Sequence, residues 1–201
     1  MKISNILEDA TDILKKGGIA VIKTDTLYGI IADATNKEAV ERIYQIKKRE
    51  KDKPFIILIP DISFIKQFGI NISEKEKEIL NEKGITVKID LPKEKLKDLK
   101  YLHRGKNSLA FRIPDKEDLI EFLYKLEKPV VAPSANISGE EPATTIEEAI
   151  KSLGENIDIY IDQGKSNTLP STIVKVKQNG KIEILRQGNK EIKLNENKRK
   201  L

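Results

Sequence analysis

The sequence predicts an α/β protein: a twisted sheet of mixed parallel and antiparallel strands, with helices packed on it and a basic concave cleft at the strand ends. Three observations carry this prediction. Short apolar runs alternate with amphipathic segments along most of the 201-residue chain, the order expected when helices pack on a sheet. An Asn-Gly pair between two alternating runs late in the chain marks an antiparallel hairpin. Polar clusters recur at the ends of apolar runs, where ligands bind in α/β sheets. No linker or internal repeat interrupts the pattern, so residues 1–190 are expected to form one domain, followed by a polar, fraying tail at 191–201.

Taken in order, residues 5–16 carry Ile6, Leu7, Ala10, Ile13 and Leu14 at helical spacing, and Gly17-Gly18 ends that helix. IAVI at 19–22 reads as a short buried strand. The next helix is expected to start at Asn36, a good N-cap, with Ala39, Val40, Ile43 and Ile46 on one face and Lys47-Lys48-Arg49 at its end. FIILI at 55–59 is a fully apolar strand closed by Pro60-Asp61. Residues 74–83 read as helix, ITVKI at 85–89 as strand, and the lysine-rich 92–107 as a loop with a helical turn. SLAFRI at 108–113 alternates as a strand, and Pro114-Asp115 is expected to open a helix with Leu119, Phe122, Leu123 and Leu126 inside. PVVA at 129–132 is a strand running into PSANISG. Thr144-Thr145-Ile146-Glu147 has a capping-box pattern for a helix to about Leu153, and IDIYI at 157–161 follows as a strand. STIVKVKQNGKIEIL predicts a hairpin with a two-residue turn at Asn179-Gly180.

The absence of cysteine excludes disulfides, thiolate metal sites and a cysteine nucleophile. The single histidine, His103, cannot build a multi-histidine metal centre, and its lysine-rich surroundings read as surface. The N-terminal segment is amphipathic and lacks the apolar stretch of a signal peptide. No run approaches the ~18 apolar residues of a membrane span, so the protein is expected to be soluble and cytoplasmic. A formal net charge of +5 fits either a solvated lysine-rich surface or anionic ligands, RNA among them. Walker, dinucleotide, paired-histidine zinc and serine-hydrolase motifs are absent, as is an obvious general base. Chemistry should therefore rest on charge neutralisation and positioning.

Polar clusters fall at 23–29, 108–112, 133–139, 164–172 and 186–188. Ser134, Asn136 and Ser138 with Gly139 form either an ordinary turn or a ligand loop. Alternation in SLAFRI sets Leu109, Phe111 and Ile113 on one face and Ser108, Ala110 and Arg112 on the other. Arg112 then either meets solvent or faces a cleft and holds an anion. Lys47-Lys48-Arg49 either complements the helix dipole or binds an anionic ligand. Tyr28 suits core packing, and Gly29 beside it suits a tight turn.

Together and in this order, KTDTLYGIIADA, KKR followed by KPF, SLAFRIP, PVVAPSANISGEEPATT, PSTIV and LRQG resemble the YrdC/Sua5 family, the L-threonylcarbamoyladenylate synthases, over about residues 10–188. The resemblance implies a YrdC-like fold and a nucleotidyltransferase. Its reaction joins L-threonine, bicarbonate and ATP into threonylcarbamoyl-AMP, releases pyrophosphate and feeds t6A modification of tRNA. It implies magnesium carried by ATP, no metal ligands from side chains, and a threonylcarbamoyl transferase complex as downstream recipient. By the same resemblance Thr26, Arg112, Ser134 and Ser171 would bind L-threonine. Lys47, Arg49, Lys53, Ser108, Asn136, Thr144 and Arg186 would line the ATP site, with Lys47 and Arg49 steadying the charge that develops as the carbamate attacks the α-phosphate.

Four places depart from the family pattern. Lys23 stands for a usual proline, Lys53 for an asparagine that helps hold ATP, Leu58 for a histidine near threonine, and Lys83-Gly84-Ile85 for a proline-glycine-proline segment. These bear on threonine specificity and leave open a paralogue that hydrolyses a related adenylate. A double-stranded RNA or tRNA binding module of the same fold is the other alternative. The resemblance also implies the short, single-domain form of the family.

Overall fold

The computed structural model describes residues 1–166 and 169–192. Among them, ten strands form one sheet: β1 (Lys2–Ser4), β2 (Ala20–Lys23), β3 (Tyr28–Asp33), β4 (Ile56–Leu58), β5 (Ile85–Asp90), β6 (Ser108–Arg112), β7 (Val130–Val131), β8 (Ile159–Ile161), β9 (Thr172–Val176) and β10 (Ile182–Arg186). Their order across the sheet is β1-β8-β2-β3-β7-β4-β6-β5-β9-β10. The pairs β1–β8, β8–β2, β4–β6 and β5–β9 are parallel, and the remaining neighbours are antiparallel.

Helices cover both faces. They are α1 (Thr11–Lys15), α2 (Lys37–Lys47), α3 (Glu74–Asn81), α4 (Lys100–His103), α5 (Glu117–Leu126) and α6 (Ile146–Leu153). The period of two in the strands sorts side chains between two layers. Val21, Ile30, Ile57, Val87 and Phe111 share a core with Val40, Ile43 and Tyr44 of α2, Leu80 of α3 and Ala149 of α6. Ala20, Ile22, Ile31, Leu58 and Ile159 meet Leu14 of α1 and Leu119, Phe122, Leu123 and Leu126 of α5 on the other face. Each large apolar side chain so buried contributes roughly 1.5–3 kcal/mol.

Two strands escape the sequence reading. β3 is central and buried along its whole length, yet it abuts the polar Thr24-Asp25-Thr26, and the sequence reading assigns it no element. β1 is a short polar edge strand that pairs only with β8. Ile6, expected on the inner face of the first helix, precedes a 3-10 turn and is 54% exposed.

The remaining differences are local. The capping box uses Thr145 and Glu148, one residue later than expected, because the Thr144 N–H and hydroxyl also donate to the Glu148 carboxylate. Thr145→Ala should lower stability by about 1 kcal/mol in urea denaturation. The helix after Pro114 begins at Glu117, since the Asp115 N–H is already taken by Asp25. In the hairpin, Lys177 N–H donates to the Lys181 carbonyl and Gly180 N–H to the Lys177 carbonyl, so the loop has three residues rather than two. Gly180 supplies its left-handed position at φ +75°.

His103 is buried rather than exposed. Its Nδ1 accepts the Gly105 N–H at 3.0 Å and its Nε2 stands 2.8 Å from the Leu96 carbonyl. Accepting at Nδ1 leaves Nε2 as the donor, and the ring ties Leu96 to Gly105 within the 92–107 segment. Beyond β10, Ile192 packs against the core; the rest of the expected tail, 193–201, lies outside the described residues.

Candidate functional site

Sheet register builds the floor of the site. Leu58 pairs with Arg112, Arg112 with Thr86, Thr86 with Ile173, and Ile173 with Arg186. These five positions form one rung across β4, β6, β5, β9 and β10, and residues on one rung share a face. Thr86 is fully buried, and the other four rung residues line a cavity of about 270 Å³.

The walls come from loops at the strand ends. The β2–β3 hairpin turn brings Thr24, Thr26 and Leu27 to the cavity. Its shape is fixed internally: the Thr24 hydroxyl donates to the Leu27 carbonyl at 2.6 Å and accepts the Thr26 N–H at 3.1 Å. The β3–β7 ladder continues past β7, with Ile30 N–H donating to the Pro133 carbonyl and Ala135 N–H to the Tyr28 carbonyl. That extension sets Ser134 opposite Gly29. A Cβ at Gly29 would stand 3.3 Å from the Thr24 methyl, so glycine lets the hairpin turn fold closely onto its own strand. Tyr28 is core, as its size suggested, and its hydroxyl donates to the Gly164 carbonyl at 2.7 Å.

Arg112 is 3% exposed and faces the cavity, not solvent. Its Nη2 donates to Asp25 at 2.7 Å and its Nη1 to the Thr26 hydroxyl at 3.3 Å. Its Nε is buried without a partner among the described residues. A buried N–H left unpaired costs about 1–3 kcal/mol. Burial, opposed by Asp25, lowers the Arg112 pKa. Arg186 donates twice to the Ser171 carbonyl, and the Ser171 hydroxyl lies 2.8 Å from that of Thr86. Arg49 completes the lining, its own pKa lowered by burial.

The structure thus brings together Thr26, Arg49, Arg112, Ser134, Ser171 and Arg186. It places the other expected residues elsewhere. Lys47 is 1% exposed, and its ammonium donates to the Ser134 and Asn136 carbonyls at 2.5 Å each and to Asn136 Oδ1 at 3.4 Å. Burial and then the neighbouring Arg49 charge push its pKa down to about 7, with Glu140 opposing. Asn136 turns its amide to the Ile137 and Glu140 carbonyls and so shapes its own loop. Lys53 pairs with Glu50 in solvent. Ser108 lies at the opposite end of β6 from Arg112, with its hydroxyl on the Lys106 carbonyl. Thr144 lines a separate hollow of about 510 Å³, with Glu140, Glu148 and Lys151, that meets the cavity at Leu27.

Sequence reasoning missed Asp25, whose side chain is 6% exposed against Arg112, and Thr86, which supports Ser171. Asp25 lay inside a quoted motif, but only tertiary contact shows what it holds. Of the departures, Leu58 is a floor residue. Lys23 reaches the Gln163 carbonyl, and Gly84 pairs its N–H with the Ile113 carbonyl.

A relative from Methanocaldococcus jannaschii is 36% identical over 91% of this chain and 86% of its own length. The threonylcarbamoyl-AMP synthases of Pyrococcus abyssi and Bacillus subtilis are each 29% identical over 82% and 79% of the chain. The chain spans about half the length of those two, 49% and 46%. In fold it matches P. abyssi Sua5 complexed with L-threonine, with a TM-score of 0.82 at 24% identity over 94% of this chain and 58% of that one. It also matches Escherichia coli YciO, with a TM-score of 0.77 at 21% identity over 96% of both chains. Residues 12–188 match the Sua5/YciO/YrdC family, described as "Telomere recombination". A match over that span, together with these relatives, means that the chain belongs to the Sua5/YciO/YrdC family.

Proposed function

We propose that this chain is an L-threonylcarbamoyladenylate synthase, a nucleotidyltransferase acting on L-threonine, bicarbonate and ATP. The observation that carries the reading is one cavity lined by Arg112 and hydroxyls at one part and by two further arginines at another. The named relatives and the L-threonine complex of P. abyssi Sua5 support it.

In this reading the threonine carboxylate meets the cavity face of the Arg112 side chain, with Thr26, Ser134 and Ser171 oriented around it. Arg49 and Arg186 hold phosphoryl oxygens. The threonine amine first adds to the bicarbonate carbon, and the C–N bond forms as a C–O bond breaks and water leaves, giving a carbamate. A carbamate oxygen then attacks the α-phosphorus, forming one P–O bond as the bond to the β-phosphate oxygen breaks and pyrophosphate leaves. Crowding these anions is unfavourable in a partly desolvated site unless cations offset it. Magnesium belongs to the nucleotide substrate here. Among the described residues, no group of three or more acidic or imidazole side chains is arranged to hold a metal. Lys47 acts through the 134–136 backbone. The product is a mixed anhydride, so a transferase acting on tRNA must consume it. No helix among the described residues is long and apolar enough to cross a membrane.

Purified protein with MgATP should release pyrophosphate only when threonine and bicarbonate are both supplied. Folded protein that gives none, or that instead consumes added threonylcarbamoyl-AMP without making it, would overturn the proposal.

A further inference from the structure

Arg49 follows α2 by two residues, and a column of rings running outward from the cavity wall holds it in place. Its guanidinium carbon lies 5.5 Å from the centre of the Phe55 ring. Phe55 in turn stacks on Tyr44, with ring centres 4.1 Å apart and planes at 22°. The far face of Tyr44 is covered by the Arg104 guanidinium at 3.8 Å. Arg104 is pinned by Glu41 at 2.8 Å, and its side chain is 9% exposed. One oxygen closes the assembly: the Lys53 carbonyl accepts both the Tyr44 hydroxyl, at 2.9 Å, and the Arg49 Nε–H, at 3.1 Å. Phe55 and Arg49 line the cavity, whereas Tyr44 and Arg104 do not.

A guanidinium is a rigid planar fork. Fixing its plane over a ring and its Nε on a carbonyl fixes where its two Nη nitrogens point. Those nitrogens have no partner among the described residues. Stacked rings with a cation on each outer face are held electrostatically at both ends, and burial strengthens the attraction.

We propose that Tyr44, clamped from outside by Arg104, is a positioning residue for Arg49. It presses Phe55 beneath the guanidinium and orients the Lys53 carbonyl that takes Nε, which presents the Nη edge to phosphoryl oxygens in the cavity. The identity of those oxygens as ATP rests on the function proposed above; the positioning of Arg49 does not.

Tyr44→Phe and Arg104→Met test this by two readouts, with a urea midpoint as the check on folding. Tyr44→Phe keeps the ring and removes only the tie to Lys53. The first readout needs no ligand: exchange of the Arg49 Nε–H with water, followed by NMR, should speed up by about fivefold in each variant. The second is kinetic: KM for ATP should rise about fivefold, with kcat and KM for threonine within about twofold. Arg104→Lys, which keeps the cation, should recover most of what Arg104→Met loses. Unchanged exchange and unchanged KM for ATP in folded variants would overturn the proposal. Faster exchange in variants of a protein whose wild type releases no pyrophosphate would support the column and overturn the nucleotide reading instead.

Discussion

Asp25→Ala is expected to lower stability by about 3–5 kcal/mol, because it leaves a buried guanidinium without its counter-charge. The pair is unusually enclosed, with side-chain exposures of 4% for Arg112 and 6% for Asp25 at a separation of 2.7 Å. Asp25 also receives the Asp115 N–H at 2.7 Å, which fixes the entry to α5. Removing only Arg112, as Arg112→Met, should cost a similar amount and in addition remove the side chain proposed for the substrate carboxylate. The double variant should be markedly more stable than the sum of the single losses predicts, since no lone charge is then buried. Urea denaturation of the four proteins gives the cycle. A loss below about 1 kcal/mol for Asp25→Ala would mean that water reaches the pair, as at a surface salt bridge.

Lys47→Met should cut turnover by about 100-fold, because a displacement of about 1 Å in the 134–136 loop moves the Ser134 hydroxyl. The same variant should change how stability depends on pH. The Lys47 pKa in the folded protein is about 7, below the ordinary 10.5. Between these values the unfolded chain binds more protons than the folded one, so wild-type stability should rise with pH from about 7 upward. Lys47→Met should lack that rise. Burial raises the pKa of Tyr101 to about 12 and also raises those of Tyr28, Tyr44 and Tyr160. Unfolded tyrosines ionise near 10 while these stay protonated, so stability should fall again above about pH 10. Urea midpoints at pH 7, 8.5 and 9.5 for both proteins isolate the lysine. Parallel curves would show that the carbonyl oxygens around the ammonium fully offset its burial.

The sequence by itself determined what depends on near neighbours along the chain. Asn36 caps α2 with its Oδ1 on the Ala39 N–H because Asn at that position can do nothing better for the first turn. Ile43 and Val40 face the sheet because helical spacing puts them on one side, and Asn179-Gly180 turns the chain because glycine tolerates a positive φ. Family membership was legible for a related reason: the motifs persist as short words in a fixed order. Tertiary structure alone decided which polar residues of those words meet. Arg112 and Arg186 share a rung only through the register of three intervening strand pairs, and a slip by one residue in any pair would send one of them to the opposite face. Register decided that Arg112 turns to a cavity rather than to water. Burial of Lys47 behind the loop it holds and of Asp25 against Arg112 was settled in the same way. These contacts join residues far apart in the chain, and neither periodicity nor local propensity carries information about partners brought together across the sheet.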